Sequence, residues 1–384
     1  MARLGDICTL NMGQSPDSAS YNEVGDGLPF FQGNADFGIL HPEVRVWCNA
    51  PTKIAHANDI LISVRAPIGA LNIANTDCCI GRGLAALTVD DSICEQKYLW
   101  HAISSKVDDL NLKGTGSTFK AINKNVLADT EIPLPALDTQ RHIAAVLDKV
   151  SDLIALRKQQ LAKLDELVKA RFVEMFGDIE TNSYQFDVLP LQTLIDNNFI
   201  TYHLDGNHGS DYPRNEEFAD IGIPYIGANS IINERIDFSL AKYLPLERAN
   251  KLKKGIAVDG DILFAHNATV GPVVILKTIH EKVILSTSLT AYRCNQAYLL
   301  PQYLCAFMKS DGFVSQYILE MKQTTRNQVP ITAQRKYMFM IPPIELQKQF
   351  TDFAEQVDQS KATAHQGLDK LESLKKALMQ EYFG

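Results

Sequence analysis

Cysteine occurs in this chain without any of the spacings that would give it a structural role. The seven residues Cys8, Cys48, Cys78, Cys79, Cys94, Cys294 and Cys305 form an odd set, with no Cys-x-x-Cys pair and no companion histidine cluster. That argues against structural zinc or a disulfide framework and for ordinary reduced, mostly buried thiols. Long hydrophobic runs are missing too: no stretch approaches the roughly 18 apolar residues that span a bilayer. The start, Met1-Ala-Arg3-Leu-Gly-Asp6, lacks the apolar core of a signal peptide, so the expected setting is the cytoplasm with no membrane partner. Positive charge is scarce. The net charge is −8, and Lys+Arg minus Asp+Glu comes to −5 over residues 1–137, 0 over 138–178, −1 over 179–344 and −2 over 345–384. No segment is basic as a whole, which argues against an indiscriminate polyanion binder and confines any nucleic-acid face to a local patch.

Catalytic signatures are equally thin. There is no Gly-x-x-x-x-Gly-Lys-Ser/Thr phosphate loop, no His-Glu-x-x-His and no Gly-x-Ser-x-Gly. Gly81-Arg-Gly83 and Gly114-Thr-Gly116 lack a third glycine and read as turns. The Ile341-Pro-Pro-Ile344 run has the Pro-Pro core of amino-methyltransferase motifs without the Asn or Asp before it or the aromatic after it. It is better read as a spacer leading into a helix. Of the nine histidines, His41, His56, His203 and His208 lie in polar, turn-rich stretches and read as solvated; His266 beside Asn267 stays open.

What the chain does have is a duplication. Pro135-Ala-Leu-Asp-Thr-Gln140 corresponds to Pro342-Pro-Ile-Glu-Leu-Gln347, and the same offset carries Phe176-Gly177 onto Phe383-Gly384. Upstream, Gly27-Leu-Pro29 matches Gly222-Ile-Pro224, Asn34 matches Asn229, Asp59-Ile-Leu61 matches Asp261-Ile-Leu263, and Tyr98-Leu99 matches Tyr303-Leu304. A period of domain size is unlike the roughly 20 to 50 residues of solenoid repeats. Short β-rich runs, Ile60 to Val64 and Ile262 to Phe264, lie between Gly, Asn, Asp and Pro punctuation, and helix-like stretches follow at Glu95 to Ser105 and Pro301 to Lys309. The fold class expected is α/β (α+β), duplicated and pseudo-two-fold symmetric.

Each copy ends in a long heptad-patterned segment. In the first, Ile143, Leu147, Val150, Ile154, Arg157, Leu161, Leu164, Val168, Arg171 and Met175 alternate steps of four and three. Leu346, Phe350, Phe353, Val357, Ser360, Ala364, Gly367, Leu371, Leu374, Leu378 and Glu381 do so in the second. This is a coiled-coil seam, and the two helices are expected to pair antiparallel as a rod of about 58 Å. Gly177 and Gly384 stand where a left-handed cap would stop each helix.

Two polar, basic, glycine-relieved loops recur in the copies. One contains Lys113, Thr115, Ser117 and Lys120 and continues to Asn123 and Lys124; the other contains Lys322, Thr325, Arg326, Asn327 and Gln328 and continues to Arg335 and Lys336. Such side chains read base edges or neutralise phosphates, and small residues let backbone approach DNA. The stretch Arg248 to Lys254 suits phosphate contact.

Together these features resemble the specificity (S) subunit of type I restriction-modification systems. The residues carrying the likeness are Pro135, Asp138, Gln140 and Ile143 with Pro342, Glu345, Gln347 and Phe350, together with Leu4-Gly-Asp6, the two Asp-Ile-Leu strands and Ile80-Gly-Arg-Gly83. The resemblance covers essentially the whole chain. It implies target-recognition domains at 1–137 and 179–344, each reading one half of a bipartite double-stranded DNA sequence. Helical spacers at 138–178 and 345–384 would space them and dock two methyltransferase subunits, with restriction subunits joining a larger assembly. S-adenosylmethionine, Mg²⁺ and ATP would belong to those partners, and this chain would hold no cofactor, metal or catalytic residue. Lys348-Gln349 after Gln347 and Leu346 in place of Thr139 depart from strict repetition, so partner docking at the two ends can differ. Two other classes compete: a self-contained DNA-modifying enzyme with an unrecognised motif, and a scaffold built on the coiled coil.

Overall fold

A computed structural model describes residues 1–116, 120–321 and 327–384. The chain forms two compact units, residues 1–159 with 365–384 and residues 160–364, so that each long helix contributes part of its length to each unit.

In the first unit a four-stranded antiparallel sheet runs in the order Cys8–Met12, Leu84–Val89, Ile60–Ser63, Leu71–Ile73. The run Ile60-Leu-Ile-Ser is buried throughout because both faces of this sheet are covered. Period-two alternation then divides its side chains. Ile60, Ile62, Ala85 and Leu87 pack with Tyr98, Leu99 and Ile103 of the helix Gln96–Ser105, while Leu61, Leu84 and Ala86 pack with Phe31, Cys78 and Ile80 of a second sheet. That second sheet pairs Leu28–Phe31 parallel to Cys78–Ile80. Gly27 leads into it at φ +92, where an added Cβ would strike the Cys48 carbonyl oxygen at 2.1 Å; no other residue type fits.

The second unit repeats this arrangement. Its central sheet runs Ile200–Asp205, Leu289–Cys294, Ile262–Asn267, Thr269–Ile275, and its second sheet pairs Ile223–Ile226 parallel to Val283–Leu285. Each unit also closes with a short antiparallel pair, Ala2–Arg3 with Glu131–Ile132 and Asp187–Pro190 with Met338–Ile341. Asp59 and Asp261 explain the repeated Asp-Ile-Leu: their carboxylates accept from the backbone N–H of His56 and Val258, a side-chain turn that feeds each central strand.

The long helices are Leu137–Phe176 and Ile344–Phe383. Within each unit their halves run antiparallel: Lys158 pairs with Glu372 at 3.0 Å in the first, and Phe172 lies 5.6 Å from Phe350 in the second. Every predicted seam position of the first helix is buried or half-buried. The second helix departs from its predicted seam. Ser360, Leu374 and Glu381 are exposed, and Lys361, Lys375 and Tyr382 take the inward positions. The other predicted positions, Leu346, Phe350, Phe353, Val357, Ala364, Gly367, Leu371 and Leu378, are buried or half-buried, so the register holds overall; Lys361 is drawn inward by its ion pair with Asp165 of the first helix.

Each helix starts against its own copy's domain and ends in the other's. Ile143 and Leu147 lie in the first unit's core with Phe383, whose ring is 5.3 Å from Tyr98. Phe176, in turn, lies 4.8 Å from Tyr303 in the second. Gly177 caps its helix in the left-handed region at φ +71, whereas Gly384 is not left-handed and only donates its N–H to the Gln380 carbonyl.

Candidate nucleic-acid interface

The two candidate loops return to the core at equivalent points. In the first unit, Val64 follows the central strand; its N–H donates to the Gly83 carbonyl at 2.9 Å, its carbonyl accepts from Ile122 at 2.9 Å, and Ala66 N–H donates to the Lys120 carbonyl at 3.0 Å. In the second, His266 donates to Ser288 at 3.0 Å and accepts from Val329 at 2.8 Å, while Ala268 donates to the Asn327 carbonyl at 3.0 Å. This register makes Arg65 the counterpart of Asn267, Lys120 of Asn327, and Ala121 of Gln328. Gly81 donating to Phe31 and Ser286 donating to Ile226 likewise place Arg82 opposite Thr287 and Gln32 opposite Gly227.

Lys113 ends the helix Val107–Lys113 and is exposed, and Thr115 pairs with Ala121 across the base of the loop. Lys120 and Lys124 are exposed. Asn123 spends its side-chain oxygen on the backbone N–H of Val126 as a helix cap. Ser117, Lys322, Thr325 and Arg326 lie outside the described residues. Asn327 is exposed and donates from its amide to the Ala268 carbonyl at 3.2 Å, and Gln328 bridges Asn267. Arg335 and Lys336 are not the counterparts of Asn123 and Lys124. Pro330 takes the place of Asn123, and Arg335 closes the short helix Ile331–Gln334 with its guanidinium directed to Gln192.

Sequence reasoning passed over four residues beside the first loop. Gln32, Asn34, Arg65 and Arg82 line a shallow concavity of about 200 Å³ that adjoins Lys120 through Ala66. The paired Asn34 and Asn229 and the Gly-Arg-Gly turn were the available signals. Arg3, Arg45 and Lys97 are matched with carboxylates, whereas Arg65 and Arg82 at this concavity and Lys120 beside it form no ion pair among the described residues; Lys113 lines a different hollow with Asp109, Asp129 and Glu131. An acidic domain thereby presents a local basic patch. Arg248, expected to be available for phosphate, is instead held by Glu217 and the Asp211 carbonyl.

Two histidine readings change. His203 is not solvated but buried in the strand Ile200–Asp205, and burial pushes its pKa down to about 4. His266 is buried as well; desolvation holds its pKa below the usual value, against the bond from its ring to the Val329 carbonyl.

A sequence model of the type I restriction modification DNA specificity domain matches residues 1–166 and again 195–373. The chain belongs to that family. One relative, a Methanocaldococcus jannaschii protein named for the MjaX type I restriction enzyme specificity subunit, is 40% identical over 158 residues, covering 41% of this chain and 37% of its own length. The specificity subunit of the MjaVIII enzyme from the same organism is 20% identical and aligns with 99% of this chain and 90% of its own. The Escherichia coli EcoBI specificity subunit is 18% identical over 99% of this chain and 84% of its own. Among solved structures, the type I restriction-modification S subunit from M. genitalium has the same fold, with a TM-score of 0.59 at 16% identity, covering 100% of this chain and 95% of that one. The two family matches coincide with the two copies, and the fold is that of a duplicated specificity subunit.

Proposed function

We propose that this chain is the DNA-reading, non-catalytic subunit of a type I restriction-modification complex, in which each globular copy reads one half of a bipartite target. One observation carries the reading. The same backbone bonds pin a loop to the same strand in both copies, yet the side chains offered there differ: Arg65, Arg82, Gln32 and Lys120 in one, Asn267, Thr287, Gly227 and Asn327 in the other. Arg and Lys suit guanine edges and phosphates, Asn and Gln suit adenine, so one framework serves two base sequences.

In the same reading, the domains extend over residues 1–137 and 179–344, and the segments 138–178 and 345–384 set the spacer between half-sites and dock two methyltransferase subunits. Restriction subunits join the larger assembly in the cytoplasm. S-adenosylmethionine, Mg²⁺ and ATP are held by those partners. The test is methylation-aware sequencing of DNA from cells that carry this chain with its methyltransferase subunit. The expected result is one bipartite methylated motif that disappears when this chain is deleted; methylation that persists without the chain overturns the reading.

A further inference from the structure

Next to Asn327 and Gln328, at Val329, lies a layer of buried polar side chains whose counterparts in the first unit are apolar. Gln334 is at its centre. Its side-chain oxygen accepts from the Tyr292 hydroxyl at 2.7 Å and from His203 Nε2 at 3.2 Å, and its amide nitrogen donates to Thr290 Oγ1 at 3.1 Å and to the Val329 carbonyl at 3.2 Å. His266 Nδ1 donates to that same carbonyl at 3.0 Å. All five side chains are buried.

Sheet and loop register give their counterparts. Tyr292 pairs with His203 and Leu87 with Leu10; Thr290 pairs with Phe264 and Ala85 with Ile62; Val64 and Leu127 occupy the positions of His266 and Gln334. Leu10, Val64, Ala85, Leu87 and Leu127 are apolar and buried. The fold therefore needs no polar group at these places. A hydrocarbon layer packs there in the sister domain, whereas a polar one must satisfy every donor and acceptor in a low-dielectric interior. His203 Nδ1 and His266 Nε2 go without a partner among the described residues, so the layer is not optimised for stability alone.

What the layer adds is directed at one atom. Two side-chain donors converge on the Val329 carbonyl, immediately after Asn327 and Gln328, while Ile122, the counterpart of Val329, has only apolar Val64 and Leu127 at the donor positions. We propose that His266 and Gln334 are positioning residues for the second half-site: by holding the Val329 carbonyl they fix where Asn327 and Gln328 are presented. This rests on the DNA-reading function above and assigns a cause to the precision of one reader.

The test replaces each residue by its counterpart in the first unit, and His266 also by an isostere. His266→Val and Gln334→Leu remove the two donors, Gln334→Leu also taking the partner from Tyr292, His203 and Thr290, so His266→Val is the cleaner of the two; His266→Asn keeps an amide donor where Nδ1 stands. Methylome sequencing of cells carrying each full-length variant with its methyltransferase subunit should show selectivity at the second half-site falling about tenfold for His266→Val and Gln334→Leu. The first half-site should be unchanged, and His266→Asn should keep the wild-type preference. Equal behaviour of His266→Val and His266→Asn, unchanged selectivity in all three, or loss at both half-sites would overturn the assignment. Hydrogen exchange on the purified chain gives a readout independent of DNA. The Val329 amide should exchange faster in His266→Val than in His266→Asn, and equal protection would also overturn it. Failure of the DNA-reading function itself would show differently, as a wild-type chain that directs no methylation.

Discussion

Gln140 and Gln347 make the same three hydrogen bonds in the two units. Gln140 accepts from the Glu95 N–H and donates to the carbonyls of Ile93 and Pro135; Gln347 accepts from the Leu300 N–H and donates to those of Tyr298 and Pro342. Both side chains are completely buried. Each therefore ties the first turn of a long helix to the turn before the helix Gln96–Ser105 or Pro301–Met308. The repeated glutamine is a joint between reader and helix, and partner docking need not be invoked to account for it.

The joint can be measured. Gln140→Ala takes the partner from two carbonyls and one N–H, all partly buried, and leaves a small cavity, at an expected cost of about 2 to 4 kcal/mol. Both tryptophans, Trp47 and Trp100, lie in the first unit, so their fluorescence reports its unfolding in urea. The midpoint should fall for Gln140→Ala. An unchanged midpoint would mean that the freed backbone groups find other partners.

Acid should weaken the second unit through the buried histidines. His203 is held neutral by burial, with a folded pKa of about 4 against an ordinary value of 6.5. The unfolded chain then binds the extra proton over that interval. Stability is complete above about pH 6.5 and declines as pH falls toward 4, by on the order of 3 kcal/mol for this group. His266, also shifted down by burial, adds to the decline in the same direction. His203→Leu, which installs the residue found at Leu10, should flatten the dependence of unfolding free energy on pH between 4 and 6.5. An equally steep slope in that variant would place the proton elsewhere.

These residues also mark how far the sequence could be read. The central strands, both long helices and the Gly177 cap were legible because each rests on a local signal, an Asp turn, periodicity or a glycine, and the duplication because separated blocks recur in the same order. The seam of the second helix was legible at Leu346, Phe350, Phe353, Val357, Ala364, Gly367, Leu371 and Leu378, and it failed at Ser360, Leu374 and Glu381, where a neighbouring residue turns inward instead. His203 was misread because its partner, Gln334, is 131 residues away, and nothing local distinguishes a satisfied buried imidazole from a solvated one. Arg65 and Arg82 come together with Gln32 through sheet register. No linear pattern contains that.

Half-site independence follows from the two differently furnished loops. Arg82→Ala should relax or weaken recognition of the first half-site, and Asn327→Ala that of the second, each by about 1 to 3 kcal/mol if the residue reads a base. Methylation motifs from cells carrying each variant separate the effects, since a change confined to one half is expected in each case. Equal loss at both halves from either substitution would show that the copies do not read separately.

Spacer length should follow the helices. In the first unit Arg157 lies beside Gly367, so residues near 159 in one helix and near 365 in the other are level across the pair. Four residues inserted after Gln159 and four after His365 lengthen both helices by about 6 Å and turn each by about 400°, close to a full turn, so the inward faces stay inward. Inserting in both helices avoids the bulge that a single insertion would create against an unaltered partner. At about 3.4 Å per base pair, 6 Å corresponds to between one and two base pairs. The methylated motif should keep both half-site sequences and gain one or two unspecified positions between them. An active complex with an unchanged spacer would show that the helices do not set it. A changed half-site with a constant spacer would mean instead that the inserted turn alters a reader, through the same glutamine joints that tie each helix to its domain.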